Sequence, residues 1–150
     1  MHDKSWLKVI GSVLLAVAVT AALFALTAIA LNRDRWEHIG MHFSIGAGFA
    51  VLLVASRMVW PSPRQGAERW LRRALEFGLV AIIIGSVMEI IGAFGYALND
   101  GDMKSDRTLA AVHDIGPVIV PLAMLAALVG LIGTFVMQIW FKVRGLRSAT

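Results

Sequence analysis

The chain has 150 residues, of which 58% are hydrophobic and 16% charged, and its mean hydropathy is +0.74. A soluble domain is about 45–50% apolar and about 25% charged, and a small globule has too much surface to hide such an excess. A soluble enzyme, a DNA-binding module and a disordered tail are therefore poor fits, which leaves the bilayer as the solvent. The net charge of +4 and the pI near 10.1 then read as basic residues flanking spans on an anionic, cytoplasmic face, and no nucleic-acid partner is expected. With no cysteine, disulfides, thiolate catalysis and iron–sulfur ligation are all excluded.

About 20 apolar residues at 1.5 Å each cross a hydrocarbon core of about 30 Å. Four runs meet that length: roughly Trp6–Leu31, Ile39–Trp60, Ala74–Leu98 and Leu109–Phe141. The spacing predicts an all-α, integral membrane four-helix bundle forming one transmembrane domain over 1–150, with antiparallel neighbours. The first run follows Lys4 and Lys8 and ends at Ala28-Ile29-Ala30, like a signal peptide. It is longer than the about 7–15 residues of a signal h-region, so a retained helix is expected.

The N-terminus, the second connection with its flanks, and the tail carry ten basic residues: Lys4, Lys8, Arg57, Arg64, Arg69, Arg72, Arg73, Lys142, Arg144 and Arg147. The other two connections carry Arg33, Arg35, Lys104 and Arg107. The positive-inside rule puts both termini in the cytoplasm, in an inner (plasma) membrane of bacterial type. Trp6, Trp60, Trp70 and Trp140 then fall at the inner interface, where amphipathic rings prefer to sit. Cysteines introduced at Gly66 and Gly101 are expected to label from opposite faces. Labelling of both from the same side would overturn the topology.

Close packing is expected along small-residue rows, Ala18/Ala22 and Ala21/Ala25 on the first helix and Gly40, Ser44 and Gly48 on the second. Arg57 and Glu76, near the inner ends of their spans, can snorkel and need no special role. Five other ionisable residues sit toward the outer side of the spans: His38 and His42 on the second helix, Glu89 on the third, His113 and Asp114 on the fourth. Each is costly in lipid, about 2.5–3.5 kcal/mol on insertion scales for a charged group, so they are expected to converge or pair. His42, Glu89 and Asp114 are expected to turn inward to a common point, with Arg107 reaching down toward Glu89. His38 and His113 either join them or face interfacial water. Pro117 and Pro121 deprive the His113 and Pro117 carbonyls of their helical donors, which is expected to bend the helix and shape a polar cavity.

Several short motifs compete for these residues. His113-Asp114-Ile115-Gly116 spells a phosphohydrolase signature but lacks the further ligands of that soluble domain, and Asn99-Asp100-Gly101-Asp102 reads as a turn. His38-x-x-x-His42 has zinc-site spacing, with Glu89, His113 or Asp114 able to complete four ligands; His42 and His113 together could ligate a haem. The reading adopted assigns no resident metal or cofactor and keeps those two as rivals.

Asp34-x-x-x-His38, His42-Phe43-x-x-Gly46, Glu89-Ile90-Ile91-Gly92, Asp106-Arg107 and His113-Asp114 resemble the VanZ-like membrane proteins and the related YjdF-type proteins over about residues 34–125. The element that ends in a polar-x-x-Gly pattern in that family reads Asp114-Ile115-Gly116-Pro117 here. The resemblance implies a cell-envelope role, in glycopeptide tolerance or in lipid and glycan handling. The expected ligand-binding residues are His38, His42, Glu89, Arg107, His113 and Asp114, facing outward, with membrane lipids and a lipid-linked envelope substrate as partners. Arg107 suits a phosphate or carboxylate. Glu89 is the candidate acid or base if the site is catalytic, which is left open. The competing use is that of an accessory subunit, packed by its small-residue faces into a homo-oligomer or a larger membrane complex.

Overall fold

In a bilayer no water can satisfy backbone polar groups, so long apolar runs must close their hydrogen bonds internally as helices. The computed structural model describes residues 5–30, 34–63, 66–98 and 107–147. Four helices hold nearly all of them: α1 (Ser5–Ala30), α2 (Asp34–Met58), α3 (Gly66–Leu98) and α4 (Arg107–Arg147). All four are long and apolar enough to cross a membrane, and no strand occurs among the described residues. This is an all-α membrane protein.

The core is apolar, with Leu75, Leu79 and Ile82 fully buried, but unlike a water-soluble bundle the surface is apolar as well. Leu14, Val17, Leu26, Ile29, Phe77, Val118 and Leu122 point outward, whereas Ser44, Ser86, Glu89, Thr134 and Gln138 are buried. Apolar side chains are at no disadvantage against lipid, and polar groups gain partners only inside.

Each helix packs chiefly on its neighbour in the chain, α3 and α4 most extensively, whereas α1 and α4 barely touch. The α3–α4 seam depends on backbone approach. A Cβ on Gly78 would lie 2.5 Å from the Ala127 nitrogen and 2.6 Å from the Ala123 oxygen; one on Gly130 would lie 2.6 Å from the Leu71 oxygen. Between α1 and α2 the expected row Gly40, Ser44 and Gly48 is used, with Gly40 against Thr27 and Gly48 against Thr20. The facing side of α1 is Ala16, Thr20 and Thr27 rather than the expected alanine rows. Ala18, Ala21, Ala22 and Ala25 are exposed. Threonine fits because its hydroxyl is satisfied within its own helix, as Thr20 Oγ1 donates to the Ala16 carbonyl at 2.9 Å.

The helices outrun the apolar runs that announce them. α3 begins eight residues before Ala74, so Glu68, Arg69, Arg72 and Arg73 are helical, and α4 extends to Arg147. At 41 residues α4 is about 60 Å long, well beyond a core of about 30 Å. It runs unbroken through Pro117 and Pro121.

Candidate functional site

Three helices bring their ionisable groups to one end of the bundle. His38 and His42 are four residues apart on α2 and so share a face. Glu89 comes from the C-terminal third of α3, about 13 Å from its end at Leu98. His113 comes from the second turn of α4. Their convergence is close: His113 Nε2 lies 3.2 Å and His38 Nε2 3.8 Å from the same oxygen, Glu89 Oε2. One ligand atom from each of His38, His42 and Glu89 lies within 4.8 Å of the other two. The His38 ring meets His42 edge-on at 4.6 Å between centroids and stacks roughly parallel to His113 at 6.2 Å.

Local sequence makes room for this. Gly92, one turn beyond Glu89 on α3, faces His113, where a Cβ would stand 2.6 Å from the His113 Cβ. Gly116 on α4 faces the Glu89 carboxylate so closely that a side chain there would displace it. The two glycines let α3 and α4 approach until carboxylate and imidazole meet. The centre is graded in exposure: Glu89 is only 5% exposed, His42 and His113 are half-buried, and the His38 side chain is 44% exposed. The carboxylate is thus the floor of a site that opens past His38.

Of the expected site residues, His38, His42, Glu89 and His113 come together. Asp114 does not. Its side chain is 82% exposed and reaches only His113, with Oδ1 3.8 Å from Nδ1. The expectation that Asp114 turns inward is corrected for a geometric reason: adjacent helical residues project about 100° apart, so α4 cannot aim both at Glu89. The side chain of Arg107 lies outside the described residues, as does Asp106.

A second polar cluster at the opposite end is absent from the sequence reading. Arg72 Nη2 donates to the Pro61 carbonyl at 3.0 Å and Nη1 to that of Ser56, and the guanidinium lies 4.6 Å over the Trp60 ring. The Trp60 indole donates to Ser12 Oγ at 2.9 Å, which ties in α1. Gln138 Nε2 donates to Glu68 Oε1 at 2.5 Å, joining α4 to α3. Arg57 and Glu76, expected only to snorkel, pair with each other at 3.2 Å. These contacts knit the bundle, although the buried Arg72 Nε has no hydrogen-bond partner. Their signal in the sequence is the i, i+4 pair Glu68/Arg72 and a single amide, Gln138, inside an apolar run.

Two apolar clefts open below the His–Glu centre. One, of about 510 Å³, lies between α2, α3 and α4 and is lined by Phe49, Leu52, Ile82, Pro121, Met124 and Leu125 among others. The other, of about 520 Å³, lies where α1 and α4 stand apart and is lined by Val17, Thr20, Phe24 and Ile45, and it shares Phe49, Leu52 and Leu131 with the first. No protein-family model, curated protein or solved structure matches this chain. The VanZ-like resemblance therefore stands on the short motifs that carry it.

Proposed function

We propose that this chain is a small multi-pass protein of the inner (plasma) membrane, with both termini cytoplasmic. Its outward-facing polar centre binds the headgroup of a cell-envelope lipid or lipid-linked glycan, as in the VanZ-like reading. The observation that carries this is the alignment of a polar centre with an apolar cleft along one seam. His42 and Phe49 are seven residues apart on α2, as are Glu89 and Ile82 on α3, and seven residues are two turns on the same face. The cleft therefore begins about 10 Å below the centre, at the depth where acyl chains follow a headgroup. A ligand with a polar head and a long tail is the shape that fits both at once.

Purification from native membranes with mass spectrometry of everything retained tests this reading. A specific anionic or glycosylated lipid should accompany the wild-type protein. Glu89→Gln, which removes the charge, and Leu125→Trp, which narrows the cleft, should each reduce its retention by about 10-fold or more. Equal retention in all three proteins would overturn the proposal. A second reading, the accessory subunit, is favoured by the alanine face of α1, where Ala18, Ala21, Ala22 and Ala25 are exposed and carry little side-chain bulk to keep another helix away. It predicts a stoichiometric protein partner in the same preparation.

A further inference from the structure

We infer that the outer polar centre is a divalent transition-metal site of the zinc class. His38, His42 and Glu89 are its ligands, His113 is a positioning residue, and one coordination position is open. The inference deepens the lipid-headgroup reading and rests on it for the use of the open position, and it goes beyond the cofactor-free expectation from sequence.

The donor set is the first argument. Two imidazoles at i, i+4 on one helix with a carboxylate from another is a zinc geometry in which three protein ligands leave a fourth position for water or substrate. Donors around a tetrahedral zinc with bonds of about 2.1 Å stand about 3.4 Å apart. His38 Nε2 and Glu89 Oε2 are already 3.8 Å apart, and the whole triplet lies within 4.8 Å, so modest side-chain rotation closes it. The 44% exposure of the His38 side chain leaves one flank uncovered for the fourth position.

Charge is the second argument. Three imidazoles crowd one buried carboxylate, with His113 Nε2 at 3.2 Å and His38 Nε2 at 3.8 Å from the same oxygen. A divalent cation between them would meet the carboxylate's oxygen and a ring nitrogen from each of His38 and His42, whose donor atoms all lie within 4.8 Å of one another.

The surrounding shell is the third argument. His113 Nε2 sits 3.2 Å from Glu89 Oε2 and its Nδ1 3.8 Å from Asp114 Oδ1. That gives the ligating carboxylate an imidazole neighbour of its own, and such outer partners hold ligating carboxylates in place. Gly116 leaves the space on α4 that the carboxylate occupies. The open position would take an anionic oxygen, phosphate or carboxylate, which is the chemistry of an envelope-lipid headgroup.

The test uses the full-length protein in detergent, purified without a polyhistidine tag, stripped with EDTA and titrated with zinc and with cobalt(II). We expect one metal per chain and the strong visible bands of low-coordinate cobalt, which shift when inorganic phosphate is added. His38→Ala, His42→Ala and Glu89→Gln should each abolish the bands. His113→Ala and Asp114→Asn should weaken binding by roughly 10- to 100-fold, the usual cost of an outer-shell partner. His38 is the most exposed ligand, so its variant keeps the test sound even if Glu89→Gln fails to fold. No stoichiometric binding by the folded wild type would overturn the inference, as would unchanged binding in the His38 and His42 variants. Lipid retention measured on the same stripped samples separates the two readings. A lipid kept without metal binding overturns the metal site alone, and metal bound without any lipid supports the site and overturns the headgroup reading.

Discussion

Gly130→Ala and Gly11→Ala should move stability in opposite directions. A Cβ on Gly130 would meet the backbone of Leu71 and Leu75, with 2.7 Å to the Leu75 Cα, and nothing lies within 4 Å of the corresponding position on Gly11. Backbone cannot rotate out of the way as a side chain can, so α4 must lift from α3, at a cost of about 3 kcal/mol, the upper range for overpacking. Gly11 lies inside α1 and carries only the usual helical penalty of glycine, so alanine there should stabilise by about 0.5–1 kcal/mol. Thermal unfolding in detergent measures both. Gly130→Ala should also weaken whatever the His–Glu centre binds, because lifting α4 withdraws His113 from Glu89. Equal and small effects at the two positions would mean that α3 and α4 are not held by backbone contact.

Arg72→Ala should be the most damaging single change at the other end. The guanidinium forks onto two carbonyls where α2 gives way to the second connection and covers the indole that binds Ser12 of α1. Removing it leaves those carbonyls without a donor in a buried place. Charged hydrogen bonds contribute about 1.5–3 kcal/mol each, so a loss of about 3–5 kcal/mol is expected. Arg72→Lys should recover only part of this, since an ammonium is a point charge and cannot hold two acceptors in a planar fork. Full recovery by lysine would show that charge alone matters there. Neither variant should change ligand binding at the His–Glu centre in the fraction that remains folded, because the two clusters sit at opposite ends of α3.

These two ends also show how far the sequence could be read. Four spans were visible because an apolar run of 20 residues has few other uses. His38, His42, Glu89 and His113 stood out because an ionisable group in such a run is expensive, and their similar depth followed from antiparallel helices of known rise. Which way each side chain faces was less accessible. His113 and Asp114 are adjacent, so only one of them could meet Glu89, but composition alone does not say which. The choice is made by Gly92, which leaves space for His113. The Arg72 cluster was hidden for another reason. Glu68 and Arg72 lie outside the apolar run of α3, where charge suggests a solvated connection, yet the helix continues through them and buries both. Hydropathy marks where lipid begins. It does not mark where a helix begins.

The meeting of Glu89 and His113 across α3 and α4 has a consequence for how the protein is made. While α3 alone is in the membrane, Glu89 has no α4 partner, and a charged carboxylate in that position opposes insertion by about 2.5–3.5 kcal/mol. His38 on α2 can offer part of the relief at 3.8 Å, but the nearer imidazole, His113 at 3.2 Å, arrives 24 residues later, on the next helix to leave the ribosome. The two helices should therefore enter the bilayer together, as a hairpin, with α3 held beside the translocation channel until α4 emerges. A nascent chain truncated between Leu98 and Arg107 should integrate poorly, and one extended past Gly130 should integrate as a pair.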